Sequence, residues 1–175
     1  MTQCGTGSWA SPRRRTTTAP HTARARELWE AARAEAARGT PPPQFSVMLD
    51  LVDAMLTAGE SGPEHAVPKL ACALREAVRK RCSETIRATL VDRAAGLLCE
   101  LDDARRAARL IGAGERWRRG RPRPMPERAQ VERAEAAARA VLGPGRYAAE
   151  CRTGGSLTAE DVLRELGEAG VLRRA

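Results

Sequence analysis

The sequence predicts an all-α protein: a right-handed array or compact bundle of antiparallel helix pairs, seven or eight helices in all. Alanine fills 33 of its 175 positions, whereas Phe, Tyr and Trp together supply five. A core must therefore be assembled from Leu, Val and Ala at close helix contacts, and such a composition favours helix over sandwich or barrel. The second observation is periodicity, since apolar residues recur at three- and four-residue spacing in segments separated by Gly- and Pro-containing breaks. The length suits one domain or a short helical array and excludes a large multidomain enzyme.

Residues 1–21 mix Ser, Thr, Pro, Gly and Arg without periodicity and read as a disordered basic arm. Its Arg13, Arg14 and Arg15 suit a phosphate backbone or open water equally. They follow Trp9 with no apolar stretch behind them, so the arm does not read as a secretory signal peptide. Residues 22–175 read as a single helical domain. A first helix spans Thr22 to Arg38 with a narrow seam of Leu28, Ala32 and Ala36 or Ala37, and GTPPP ends it. The strongest hydrophobic segment follows, placing Phe45, Met48, Leu49, Val52 and Leu56 on one side and stopping near Gly59.

A third helix begins at Pro63 or shortly after it and buries Leu70, Ala73, Leu74 and Ala77, with Pro68 either kinking it or marking its true first turn. Ser83 or Thr85 caps a fourth helix built on Ile86, Leu90, Ala94 and Leu97, and Asp102 or Asp103 starts a fifth running to about Arg119. So short a turn makes the two antiparallel. A basic, proline-containing loop at 119–126 breaks the pattern. Pro126 and Glu127 open a sixth helix with Val131, Ala134, Ala138 and Val141 on one face, and Gly143-Pro144-Gly145 closes it. A short helix or irregular turn around Arg146 to Cys151 leads to a last helix, for which Thr158 and Asp161 form a capping box.

In the fourth and fifth helices Val91, Ala94, Ala95, Leu98, Asp102, Ala107, Ile111 and Gly114 share a spacing in which small residues admit close approach and larger ones fill the adjoining space. That is the mechanical logic of a tetratricopeptide-type repeat, which the pair resembles without its usual first-helix aromatic residue. Residues 104–120 and 124–166 carry a more specific likeness in Arg109 to Glu115, Leu142-Gly143, Tyr147-Ala148 and Gly155 to Thr158. They resemble the C-terminal helical tail of large actinobacterial transcription regulators, which join an ATPase module to tetratricopeptide-like repeats and often to a LuxR-type or antibiotic-regulatory DNA-binding domain. The likeness implies a sensor or scaffold region. The chain has no GxxxxGK[ST] phosphate loop and no convincing helix-turn-helix, so the family's ATPase and DNA-reading roles are not carried over.

Catalytic chemistry finds little support. His21 and His65 are the only imidazoles, and neither sits in a zinc-like spacing. The five cysteines lack CxxC spacing, so Cys72, Cys82 and Cys99 read as core or boundary residues and Cys4 and Cys151 as exposed. Asp50 and Asp53 share a helix surface with no nucleophile nearby, and Glu100, Asp102 and Asp103 read as turn and helix-start chemistry. The expectation is a non-enzyme without metal or cofactor, in a reduced cytoplasm, with no apolar stretch long enough to span a membrane.

The best functional signal is the run from 116 to 128, where Arg116, Arg118, Arg119, Arg121, Arg123 and Arg128 are interspersed with Trp117 and three prolines against one acid. Trp117 suits an interface anchor, and the arginines suit a protein partner's carboxylates or a phosphate backbone. The alternative is that Trp117 packs at its helix end and the loop stays solvated. On either reading the loop is exposed, so reversing Arg118, Arg119, Arg121 and Arg123 should leave the helices intact. The predicted function is a noncatalytic protein-interaction module in transcriptional or pathway regulation. Nucleic-acid association through loop or arm, a small helical enzyme, and a homo-oligomer remain as alternatives.

Overall fold

A computed structural model describes the backbone of residues 19–171 and the side chains of residues 21–167. The arm through residue 18, with Cys4, Trp9, Arg13, Arg14 and Arg15, and residues 172–175 lie outside the described residues. Within them there are eight helices and no strand: α1 (Ala19–Arg38), α2 (Pro43–Ser61), α3 (Pro63–Arg79), α4 (Glu84–Glu100), α5 (Ala104–Arg118), α6 (Glu127–Leu142), α7 (Pro144–Gly154) and α8 (Ala159–Val171). None of these helices is long and apolar enough to cross a membrane.

Helix boundaries follow local chemistry. Ser83 caps α4, its Oγ accepting the Ile86 amide at 3.4 Å, and Asp103 caps α5 by accepting the Arg106 amide at 3.1 Å. Asp102 takes the left-handed turn position between them, at φ 60°. The capping box before α8 forms reciprocally, the Thr158 amide donating to Asp161 at 3.0 Å and the Asp161 amide to Thr158 Oγ1 at 3.2 Å. Pro68 lies inside α3, which continues through it, and Pro144 opens α7 as a full helix rather than an irregular turn.

Packing couples α2 with α3, α4 with α5, and α5 with both α6 and α7, while α4 also lies along α6. The last helix does not extend this succession: α8 turns back onto α3, burying Val162 and Leu166 in the main core. That core is built from Leu and small residues, among them Leu70, Leu74, Leu90, Leu97, Leu98 and Leu110. The repeat positions Val91, Ala94, Ala95, Leu98, Ala107, Ile111 and Gly114 are all buried.

Four expected faces are corrected. In α2 the buried residues are Val47, Leu51, Ala54 and Thr57, whereas Phe45 and Val52 are 46% and 42% exposed. This helix carries two apolar stripes, and α3 takes the one whose small Ala54 lets it approach closely. In α1 the seam runs through Ala25, Trp29, Ala32 and Ala36, leaving Leu28 exposed. Val141 is 75% exposed, its neighbour Leu142 taking the packed position at the end of α6, and Cys151 is half-buried against α5 rather than exposed.

With no fully buried residue among its described side chains, α1 is fixed by polar contacts. Arg26 reaches Asp53 at 2.5 Å and Glu60 at 2.7 Å, Arg33 reaches Asp50 at 2.7 Å, and the Trp29 indole donates to the Leu49 carbonyl at 2.8 Å. Asp53 also takes Lys69 at 2.6 Å, so Asp50 and Asp53 join α2 to α1 and α3. At the other end α5 presents Arg105 and Arg109 to Glu150 at 2.8 and 2.7 Å, and Arg106 and Arg109 to Glu165 at 3.2 and 2.6 Å. Burial alone would raise the Glu150 carboxyl, but the hydrogen bonds from Arg109 and Arg105 outweigh it and hold it below the usual range.

Beneath this ladder α5 and α7 touch backbone to backbone. A Cβ on Gly112 would overlap the Cys151 carbonyl, and one on Gly154 would overlap the Arg109 carbonyl. Gly154→Ala should therefore lower unfolding stability by about 1–3 kcal/mol through overpacking. Gly167→Ala, in α8 with open space around the added methyl, should raise it by about 0.5–1 kcal/mol. Denaturant unfolding midpoints measure both, and an unchanged midpoint for the Gly154 variant contradicts the close crossing.

Candidate functional site

The arginine run between α5 and α6 is the starting point, and its members divide sharply. Arg118 is 1% exposed. Its Nε and Nη2 donate to Asp92 Oδ2 at 3.0 and 2.8 Å, and Nη2 also donates to Thr89 Oγ1 at 3.2 Å. Arg123, mostly buried, closes on the same carboxylate, with Nε at 3.0 Å from Oδ2 and Nη2 at 3.2 Å from Oδ1. Its remaining nitrogen pairs with Glu115 at 2.7 Å. Glu127 stands 3.7 Å from Arg118. Two guanidiniums thus face Asp92, and Gly114 leaves room for it: a Cβ there would lie 2.5 Å from Oδ1.

The exposed-loop expectation is therefore corrected for Arg118 and Arg123. Both are drawn inward because a buried Asp92 on α4 has to be neutralised and hydrogen-bonded. Trp117 is partly buried and packs against the main core. Arg119 pairs with Glu84 at 2.8 Å, Arg121 donates to Thr85 Oγ1 at 3.2 Å, and Arg128 pairs with Glu132 at 2.9 Å, all three at the surface. Arg116 is exposed and makes no side-chain ion pair among the described residues. The loop is thus folded along α4, and it fixes where α6 begins.

Next to this cluster a groove of about 410 Å³ runs between α4 and α6, with Met55 of α2 at its edge. Sequence reasoning missed it because its residues come from three helices, each 30 or more positions from the next. Arg93 and Gln130 face it, and the Nε of Arg93 and the Oε1 of Gln130 are buried without a hydrogen-bond partner among the described residues. Burial lowers the Arg93 pKa, with Glu127 and Asp92 opposing that shift at longer range. Arg133 adds an exposed guanidinium that makes no ion pair among the described residues. Further along α4 partial desolvation raises the carboxyl of Glu100, which still reaches solvent, and the Cys99 thiol is pushed up to about 11 by burial and donates to the Ala134 carbonyl at 3.4 Å. Such a thiol stays protonated near neutral pH. The groove therefore sets two guanidiniums, Arg93 and Arg133, and an unpaired Gln130 oxygen against the carboxyl of Glu100, a set suited to an acidic, hydrogen-bonding ligand.

Among the described residues no group of His, Cys, Asp and Glu is placed to hold a metal ion. His65 is exposed, its Nδ1 2.8 Å from the Ser61 carbonyl. Compared with protein-family models, curated proteins and solved structures, the chain matches none.

The cluster predicts an asymmetry between neighbours. Arg118→Met removes one of the two guanidiniums on the buried Asp92, leaving Arg123 alone to hold it, and should cost about 2–3 kcal/mol of unfolding stability. Arg119→Met removes only a surface pair and should change it by less than about 1 kcal/mol. Urea denaturation of both variants decides the point; equal midpoints would show that Arg118 is not the structural partner described.

Proposed function

We propose that this chain is a noncatalytic protein-interaction module, an accessory component of transcriptional or pathway regulation, and that the α4–α6 groove receives an acidic segment of a protein partner. The observation that carries this reading is the set of unmet hydrogen-bonding groups on the two facing walls of the groove: Arg93 Nε on α4, and Gln130 Oε1 on α6 beside the unpaired Arg133. Guanidiniums match carboxylates in shape and charge, and the Gln130 oxygen suits a backbone N–H of the same segment. The regulatory part of the proposal rests on the likeness of residues 104–120 and 124–166 to regulator tails.

Nucleic acid is the less favoured partner. Of the loop arginines, Arg119 and Arg128 are already paired with carboxylates and Arg118 and Arg123 are turned inward. An array of short acidic peptides, probed with the labelled protein, should contain sequences whose binding falls about tenfold in Arg93→Ala/Arg133→Ala and is unchanged in Arg119→Ala/Arg121→Ala. Binding that follows the loop variant instead, or a labelled DNA duplex that outcompetes every peptide, would overturn the proposal.

A further inference from the structure

A second cavity lies on the opposite side of α6, where α5, α6 and α7 diverge, and has a volume of about 680 Å³. Its shape follows from the packing. The two glycines draw α7 onto α5, whereas α6 keeps to α4 and α5 and touches α7 only lightly. Ile111, Gly112, Tyr147, Ala148 and Cys151 give it a mainly apolar lining. Its volume falls in the range of small-molecule sites.

One guanidinium from each of the three helices stands at this cavity: Arg116 of α5, Arg139 of α6 and Arg152 of α7. Arg139 stands over the Tyr147 ring, its guanidinium carbon 4.6 Å from the centroid. Arg116 and Arg152 are exposed and make no ion pair among the described residues. Two carboxylates, Glu115 and Glu135, share the lining, but Glu115 is already held by Arg123 at 2.7 Å. Positive charge is therefore in excess around an apolar floor. Burial raises the pKa of the Cys151 thiol and of the Tyr147 phenol, so neither adds an anion near neutral pH.

We propose that the α5–α6–α7 cavity binds a small aromatic carboxylate, its ring against Arg139, which covers Tyr147, and beside Ala148 and Cys151, and its charge between Arg116 and Arg152. A ring suits the open face of Arg139, where a cation–π contact adds to apolar burial. The carboxylate suits guanidiniums that have no carboxylate of their own. This site is separate from the α4–α6 groove and stands or falls without it.

The probe is 2-naphthoate, titrated by calorimetry into the full chain, with 2-naphthalenemethanol and inorganic phosphate as the uncharged and ring-free comparisons. One naphthoate should bind per chain, with both comparisons weaker by about tenfold or more. Arg116→Glu/Arg152→Glu should weaken naphthoate by about tenfold and leave naphthalenemethanol unchanged. Ala148→Trp, at an exposed position of the lining, should abolish both without lowering the thermal midpoint. Equal affinity for naphthoate and the alcohol, tighter binding of phosphate, or no heat with naphthoate up to about 5 mM would each overturn the assignment.

Discussion

A single buried carboxylate governs the middle of this molecule. Asp92 is 5% exposed and sits on the face of α4 that packs against α5. A lone carboxylate there would cost several kcal/mol. It is tolerated because Arg118 from the end of α5 and Arg123 from the following loop converge on it, backed by Thr89, Glu115 and Glu127. The requirement reaches outward in sequence. It pins the last turn of α5, folds the proline-containing loop along α4, and sets where α6 starts. A basic segment that would suit a solvated arm becomes part of the framework.

Once α6 is placed, its two flanks acquire different chemistry. Toward α4 it leaves a groove with unpaired donors and an unpaired acceptor; toward α7 it leaves a wider apolar cavity ringed by arginines. The remaining arginines of α5 are occupied in holding α7 and α8 through Glu150 and Glu165. Charge in this chain is thus divided by position. Along the inner faces it joins helices, and where α6 parts from α4 and α7 the guanidiniums of Arg133, Arg116 and Arg152 make no ion pair among the described residues.

Much of the helical plan was legible because it depends on neighbours in sequence. Ser83, Asp103 and the Thr158–Asp161 box could be read as caps, and the alanine and leucine faces of α3, α4 and α5 followed from their period. The face of α2 was not legible, since two apolar stripes compete and the choice is made by what α3 can approach. The roles of the arginines were harder still, because Arg118 and Arg119 are adjacent and differ only in which side of the helix end they occupy. One signal was present. Asp92 is the lone charge among Ala88, Val91 and Ala95 on a buried stripe, and Arg118 continues the stripe of Ile111 and Gly114. A charge on each of two packed apolar stripes implies a pair. The groove and the cavity depend on which helices diverge, which no local pattern encodes.

The most direct test is a double-mutant cycle on Asp92→Asn and Arg118→Met, read by denaturant unfolding of the two single variants, the double variant and the parent. Buried partners in one hydrogen-bonded network predict a coupling of about 2 kcal/mol or more, with the double variant less damaged than the sum of the singles. Strict additivity of the two substitutions would contradict the claim that this ion cluster organises the α4–α5–α6 region.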